Sequence, residues 1–167
     1  TEARLLLAKR WDPASDPTGW GISEKYDGVR AHWDGNTLWT RGGNRISAPD
    51  YFLAELPKGI GLDGELWFGR GQFETTVSIV RRETPDERWQ LMSYMIFDSP
   101  TAVGTFEERM EFVRKILPRS ARHVKRVPQT LCLGAEHLIA RRDRIVESGG
   151  EGLMIRKPDS LYESGYS

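Results

Sequence analysis

Val29, Ala31 and Trp33 alternate with polar residues up to Asp34-Gly35-Asn36, and Leu38 and Thr40 resume the alternation beyond it. Period-two patterning on both sides of an Asp-Gly turn signal predicts an antiparallel hairpin, and Lys25 is expected to lead directly into that strand pair. Leu62–Trp67 alternates as well, with Asp63, Glu65 and Trp67 on one face, while the mostly apolar run Leu91–Asp98 fits a buried strand.

After residue 100 the period changes. Thr105-x-x-Glu108 is a capping box, followed by Phe106, Met110, Val113 and Leu117 on one helical stripe and by Pro118 as a stop. A second helix is predicted from about Ala135 to Ser148, with Leu138, Ile139, Ile145 and Val146 on one face and Gly149-Gly150 behind it. Glu151–Arg156 reads as a further strand, and Phe73, Val77 and Val80 have helical spacing. The fold class expected is α+β, with antiparallel β-sheets and flanking helices. One domain over 1–167 is expected, since no internal repeat or low-complexity linker divides the chain.

Composition excludes little but sharpens the search. The 24 Lys and Arg balance the 24 Asp and Glu, so no global basic field marks a nucleic-acid binder. Locally the balance breaks: 109–126 holds seven cations (Arg109, Arg114, Lys115, Arg119, Arg122, Lys125, Arg126) against Glu111, or 7 − 1 = +6. That run suits either a solvated helix face or a phosphate-facing one. The one cysteine, Cys132, sits between Leu131 and Leu133 and reads as a buried small hydrophobe, and no internal disulfide is possible. No apolar run approaches the ~18 residues of a membrane span, and Thr1 opens no signal-peptide pattern.

Chemistry-bearing residues recur in short polar clusters at strand ends. They are Lys25-Tyr-Asp27-Gly28-Val-Arg30, Thr40-Arg41-Gly42-Gly43-Asn44, Asp63-Gly64-Glu65 and Glu151-Gly152-Leu-Met154-Ile-Arg156, with Phe97-Asp98 between the last two. In this order they resemble the covalent nucleotidyltransferases, and among these the adenylation domain of ATP-dependent DNA ligases, a nucleotidyltransferase (ATP-grasp-like) fold. The opening LLLAKRWDP, LDGELWFGRGQFE and GGEGLMIRKPDSLYESG look like the minimal bacterial E-type ligases in particular.

The resemblance implies an enzyme in which Lys25 is the catalytic nucleophile. A lysine amine attacks phosphorus only when neutral, so it needs desolvation or neighbouring cationic charge. ATP and Mg²⁺ are the implied cofactors. Glu24, Lys25, Arg30, Glu65, Phe97 and Met154 would bind the nucleotide, with Phe97 and Met154 stacking on adenine and Glu24 reading it. Glu65 and Glu151 would serve as metal or ribose ligands, since hard carboxylate oxygens suit Mg²⁺. Arg41, assisted by Asn44, would take the 5′-phosphate of nicked double-stranded DNA, which suits a planar bidentate donor. Asp27 and Asp63 each precede a glycine and rank below these as turn residues.

Two features bound the reading. Only 24 residues precede Lys25, which favours ATP over NAD. The family's Lys-x-Lys element and OB-fold domain would lie beyond Ser167. A monomer with no membrane association is expected, in either the cytoplasm or the periplasm of a bacterium. The alternatives left open are an RNA ligase or mRNA-capping guanylyltransferase, a non-catalytic nick-binding module, and a β-rich scaffold in which these clusters are only turns.

Overall fold

The computed structural model describes residues 6–7, 13–162 and 165–166. Most of the LLLAKRWDP stretch, and residues 163–164 of the closing one, lie outside the described residues. In chain order the elements are β1 (Leu6–Leu7), β2 (Gly21–Lys25), β3 (Val29–Trp33), β4 (Leu38–Thr40), α1 (Asp50–Leu53), β5 (Leu62–Trp67), α2 (Phe73–Val80), a 3-10 turn (Glu87–Leu91), β6 (Ser93–Asp98), α3 (Phe106–Ile116), β7 (Val124–Arg126), β8 (Thr130–Leu131), α4 (Ala135–Glu147), β9 (Gly152–Arg156) and β10 (Gly165–Tyr166). They form a five-stranded sheet in the order β4-β3-β5-β6-β7, a three-stranded sheet β8-β2-β9, and a short β1-β10 pair. The α+β class with antiparallel sheets stands. Two pairings, β6 with β7 and β1 with β10, are parallel, and α3 is the crossover that lets β7 run alongside β6.

The hairpin forms as expected, with Trp33 opposite Leu38. Asp34 builds its turn: Oδ1 accepts from the amides of Asn36 (2.8 Å) and Thr37 (2.7 Å), and Oδ2 accepts from the Trp39 indole (2.9 Å). Lys25 does not belong to this strand pair. It ends β2 in the three-stranded sheet, paired with β9, and the chain changes sheets at Tyr26-Asp27-Gly28. Gly28 permits the change by close approach, since a Cβ there would lie 2.0 Å from the Leu66 carbonyl oxygen.

Each large sheet has its own core. The five-stranded sheet buries Trp33, Leu66, Trp89, Tyr94 and Val113 among others. The three-stranded sheet buries Ile22 and Ile155 against Cys132 and Leu138 of α4. Two of the polar groups buried in the larger core find backbone partners: the Trp33 indole donates to the Pro57 carbonyl at 2.8 Å and the Tyr94 hydroxyl to that of Ala31 at 2.8 Å.

Helix α3 begins at the expected capping box, Thr105 and Glu108 each accepting from the other's backbone, a device whose loss costs about 1 kcal/mol. Other expectations shift in detail. Leu91 is 71% exposed and belongs to the 3-10 turn, so the buried strand starts at Ser93. In α2 the buried stripe is Thr76, Ile79 and Val80, with Phe73 exposed. In α4 Leu138 alone is buried, because the helix covers a sheet of three short strands and Ile139 and Val146 face outward. No helix among the described residues is long and apolar enough to cross a membrane.

Candidate active site

A cleft of about 400 Å³ opens between the two large sheets. Glu24, Lys25, Arg30, Arg41, Glu65, Phe97 and Met154, seven of the nine residues singled out from sequence, line it together. They come from β2, β3, the end of β4, β5, β6 and β9, so tertiary pairing alone gathers them.

Strand register explains the arrangement. In the β2–β9 pair Lys25 lies opposite Gly152, Ser23 opposite Met154 and Gly21 opposite Arg156. That register brings Glu151 to Lys25, with Nζ and Oε1 3.3 Å apart and both side chains about half exposed. Glu151 does not line the cleft itself; it stands at its mouth beside the lysine.

Glu65 on β5 lies opposite Arg30 on β3. Burial pushes the Glu65 carboxyl up to about 7; the Gly28 backbone and Arg30 oppose this, while Asp63 and Glu151 add to it. Such a carboxyl welcomes a cation.

Phe97 reaches the cleft through an irregularity in β6. Gly64 opposes Ile96 and Asp63 opposes Asp98, which leaves Phe97 without a partner on β5. Bulges of this kind re-aim a side chain. The Arg30 guanidinium stacks over the Phe97 ring, 5.1 Å from its centroid, while it forks Asp63 at 3.2 and 2.7 Å.

The bulge also sets Asp63 and Asp98 side by side, both fully buried. Each needs cations. Asp63 takes Arg30 and the Tyr162 hydroxyl (3.1 Å); Asp98 takes Arg109 (2.7 and 3.1 Å) and Arg156 (2.9 Å). Arg109 is therefore a buried structural cation and leaves the basic run, and Arg114 is paired with Glu111.

Asp27 is a clamp rather than a cleft residue. It accepts from the Trp67 indole at 3.1 Å and from the Gly71 amide at 2.9 Å, which holds the loop after β5. Asn44 lies outside the cleft lining, exposed, with its amide donating to Thr40 Oγ1 at 3.0 Å. Arg70 was missed by sequence reasoning. It forks Glu24 and reaches the Ser148 carbonyl at 3.4 Å; its one sequence signal is its place between Gly69 and Gly71, right after a strand.

A lysine with a carboxylate 3.3 Å away, arginines and an aromatic ring, all gathered at one cleft between two sheets, is the arrangement expected of a nucleotidyltransferase adenylation domain. The chain belongs to the ATP-dependent DNA ligase family: the model of the ATP dependent DNA ligase domain matches residues 13–167. It is 33% identical over 146 residues to a DNA ligase of Haemophilus influenzae, an alignment covering 87% of this chain and 54% of that protein. The solved structure of a Lig E DNA ligase superposes with a TM-score of 0.89 at 37% identity, covering all of this chain and 66% of the other. The Chlorella virus DNA ligase-adenylate shares the fold, with a TM-score of 0.80 at 22% identity over 100% of this chain and 65% of that one. The chain thus spans about half the length of the curated relative it matches.

Proposed function

We propose that this chain is the catalytic core of an ATP-dependent DNA ligase. It forms lysyl-AMP at Lys25 and passes the AMP to the 5′-phosphate of nicked double-stranded DNA. The observation that carries this reading is Lys25 Nζ, 3.3 Å from Glu151 at the mouth of a nucleotide-sized cleft. The family match favours ligation over the capping reaction.

Neutral Lys25 attacks the α-phosphorus of ATP. The N–P bond forms, the bond to the bridging oxygen breaks, and pyrophosphate leaves with that electron pair. The proton that the ammonium must first shed has Glu151 as its nearest acceptor. An oxygen of the 5′-phosphate then attacks the same phosphorus, the N–P bond breaks, and the Lys25 nitrogen keeps its electron pair and takes up a proton to recover the amine. Finally the 3′-hydroxyl at the nick gives up its proton to solvent and attacks the activated 5′-phosphorus, and AMP leaves with the electron pair of the broken P–O bond.

Phe97 and Met154 flank the adenine, Glu24 accepts from its edge, and Arg30 serves the ribose or the leaving phosphates. Arg41, with Asn44 beside it, receives the 5′-phosphate of the nick. Glu65 and Glu151 fit Mg²⁺: they are hard oxygen donors, and their mutual repulsion contributes to the raised Glu65 carboxyl. Among the described residues no three His, Cys, Asp or Glu side chains gather as a metal site, so Glu65 and Glu151 would hold the ion as a pair rather than as a cage. Bound there, the ion would supply neutralising charge for the phosphoryl oxygens. The working unit is a monomer.

The test is the intact mass of the full-length protein after incubation with ATP and Mg²⁺. One AMP adduct is expected in the wild type and none in Lys25→Ala, whose fold is unchanged by circular dichroism because the side chain is half exposed. An unmodified wild type, or an adduct in the variant, overturns the reading.

A further inference from the structure

The chain passes between its two large sheets at two places bordering the cleft. One follows Lys25. The other, 127–129, joins β7 to β8 and carries Gln129. The Oε1 of Gln129 is buried, and no described residue donates a hydrogen bond to it. A buried amide oxygen without a donor destabilises the fold, so a ligand that supplies the donor gains by it.

The backbone makes room for this side chain. Alternation puts Gly21, Ser23 and Lys25 on one face of β2. A Cβ on Gly21 would sit 2.9 Å from Gln129 Oε1. The Gly21 backbone is an ordinary strand, so what a Cβ there would meet is this amide, which would have to swing aside. Arg156, across from Gly21, is already engaged: it donates to Asp98 and stacks 4.3 Å over the Phe106 ring.

Gly21 lies four residues from Lys25, about 13 Å along the strand, and Ser23 with its neighbour Met154 lies between them. A nucleotide whose phosphorus meets Lys25 and whose base lies against Met154 and Phe97 turns the far edge of that base toward Gln129.

We propose that Gln129 determines nucleotide specificity: its Oε1 accepts a hydrogen bond from the exocyclic amine on C6 of a 6-aminopurine. A 6-oxopurine would set an acceptor against an acceptor. This rests on the ligase reading of the cleft.

The test follows Lys25 labelling in the full-length protein against the concentration of ATP or of purine riboside 5′-triphosphate, which lacks only the 6-amino group. In the wild type the apparent KM rises about tenfold from ATP to the analogue. Gln129→Met shows most of that rise already with ATP and only a smaller further rise with the analogue, the contact of the same amine with Glu24 being all that is left to lose, at a kcat within about twofold of wild type. Gln129→Glu, which keeps an oxygen at the same place, still discriminates. An unmoved KM in Gln129→Met, or losses from variant and analogue that add, overturns the role of Gln129 while leaving the ligase reading intact. If Gln129→Met fails to fold, the other two arms decide: discrimination absent from the wild type or from Gln129→Glu overturns the role. No label on the wild type with ATP overturns the ligase reading, and this role with it.

Discussion

Arg70 forks the carboxylate of Glu24, Nε to Oε2 at 3.0 Å and Nη2 to Oε1 at 2.8 Å, and so ties the loop after β5 to the residue immediately before Lys25. Each Glu24 oxygen keeps a second lone pair, so the ion pair orients the carboxylate without blocking a bound base. Glu24 is mostly buried, with 14% of its side chain exposed, while Arg70 is much more open.

Arg70→Ala should therefore loosen nucleotide binding more than it loosens the fold. The expected effect is a rise in KM for ATP of roughly fivefold, with kcat of adenylation little changed. Arg70→Lys should recover only part of the loss, since an ammonium cannot fork the carboxylate. An unchanged KM in Arg70→Ala would show that Glu24 holds its position unaided.

Glu65 makes the stability of this fold pH-dependent. Its carboxyl is raised to about 7 in the folded protein from an ordinary 4.5, chiefly by burial. Between those values the folded state binds more protons than the unfolded one, so stability falls as pH rises from about 4.5 through 7. The full effect is on the order of 3 kcal/mol, reached above pH 7. Glu65→Gln should remove that slope, raising the melting temperature at pH 8 relative to wild type while slowing nucleotidyl transfer. Melting curves at pH 5, 6, 7 and 8 check it, and parallel profiles for the two proteins would exclude Glu65 as the titrating group.

Asp98 neutralises two arginines, one of them fully buried. Asp98→Asn leaves the Arg109 guanidinium without its anion in the interior, a change worth about 3–5 kcal/mol of stability. The expected readout is a lower denaturant midpoint at unchanged m-value. A variant as stable as wild type would mean that the Gly104 and Ser160 carbonyls, which also accept from Arg109, suffice to hold it.

The elements were largely legible because their signals are local: the Asp34 turn, the Thr105 capping box and the alternation of Leu62–Trp67 each depend on residues within one element. The clustering of Lys25, Glu65 and Phe97 was legible only through family resemblance. What escaped was long-range. Nothing near Lys25 says that β2 pairs with β9 and leaves β3 to another sheet, and that choice turns on Gly28 passing against Leu66. Arg109 looked like one cation in a basic run, because its partner Asp98 sits on a different element and the bulge that buries them both has no sequence mark. Arg70 and Glu24 are 46 positions apart and find each other only in the fold.

Arg41 separates nucleotide chemistry from DNA handling. It follows β4 directly, is exposed, and lines the cleft that holds Lys25 at its mouth. Gly42 and Gly43 come next, and the Gly43 amide donates to the Thr40 carbonyl at 3.0 Å, which makes a tight turn of bare backbone where a phosphate can approach. A guanidinium there can fork two phosphate oxygens. If that phosphate is the 5′ end of the nick, Arg41→Ala leaves adenylation of Lys25 by ATP nearly normal and weakens the next step. Losing a charge-assisted contact costs on the order of 1.5–3 kcal/mol, or roughly ten- to a hundredfold in rate. The measurement is a single-turnover assay in which pre-adenylated full-length enzyme is mixed with nicked duplex, alongside a separate adenylation assay from ATP. Wild-type transfer to DNA together with collapsed adenylation would place Arg41 in the nucleotide site instead. The salt dependence is a second readout: removing one phosphate contact should flatten the slope of log K against log salt by about one unit for DNA binding, and should leave the corresponding plot for ATP as it was.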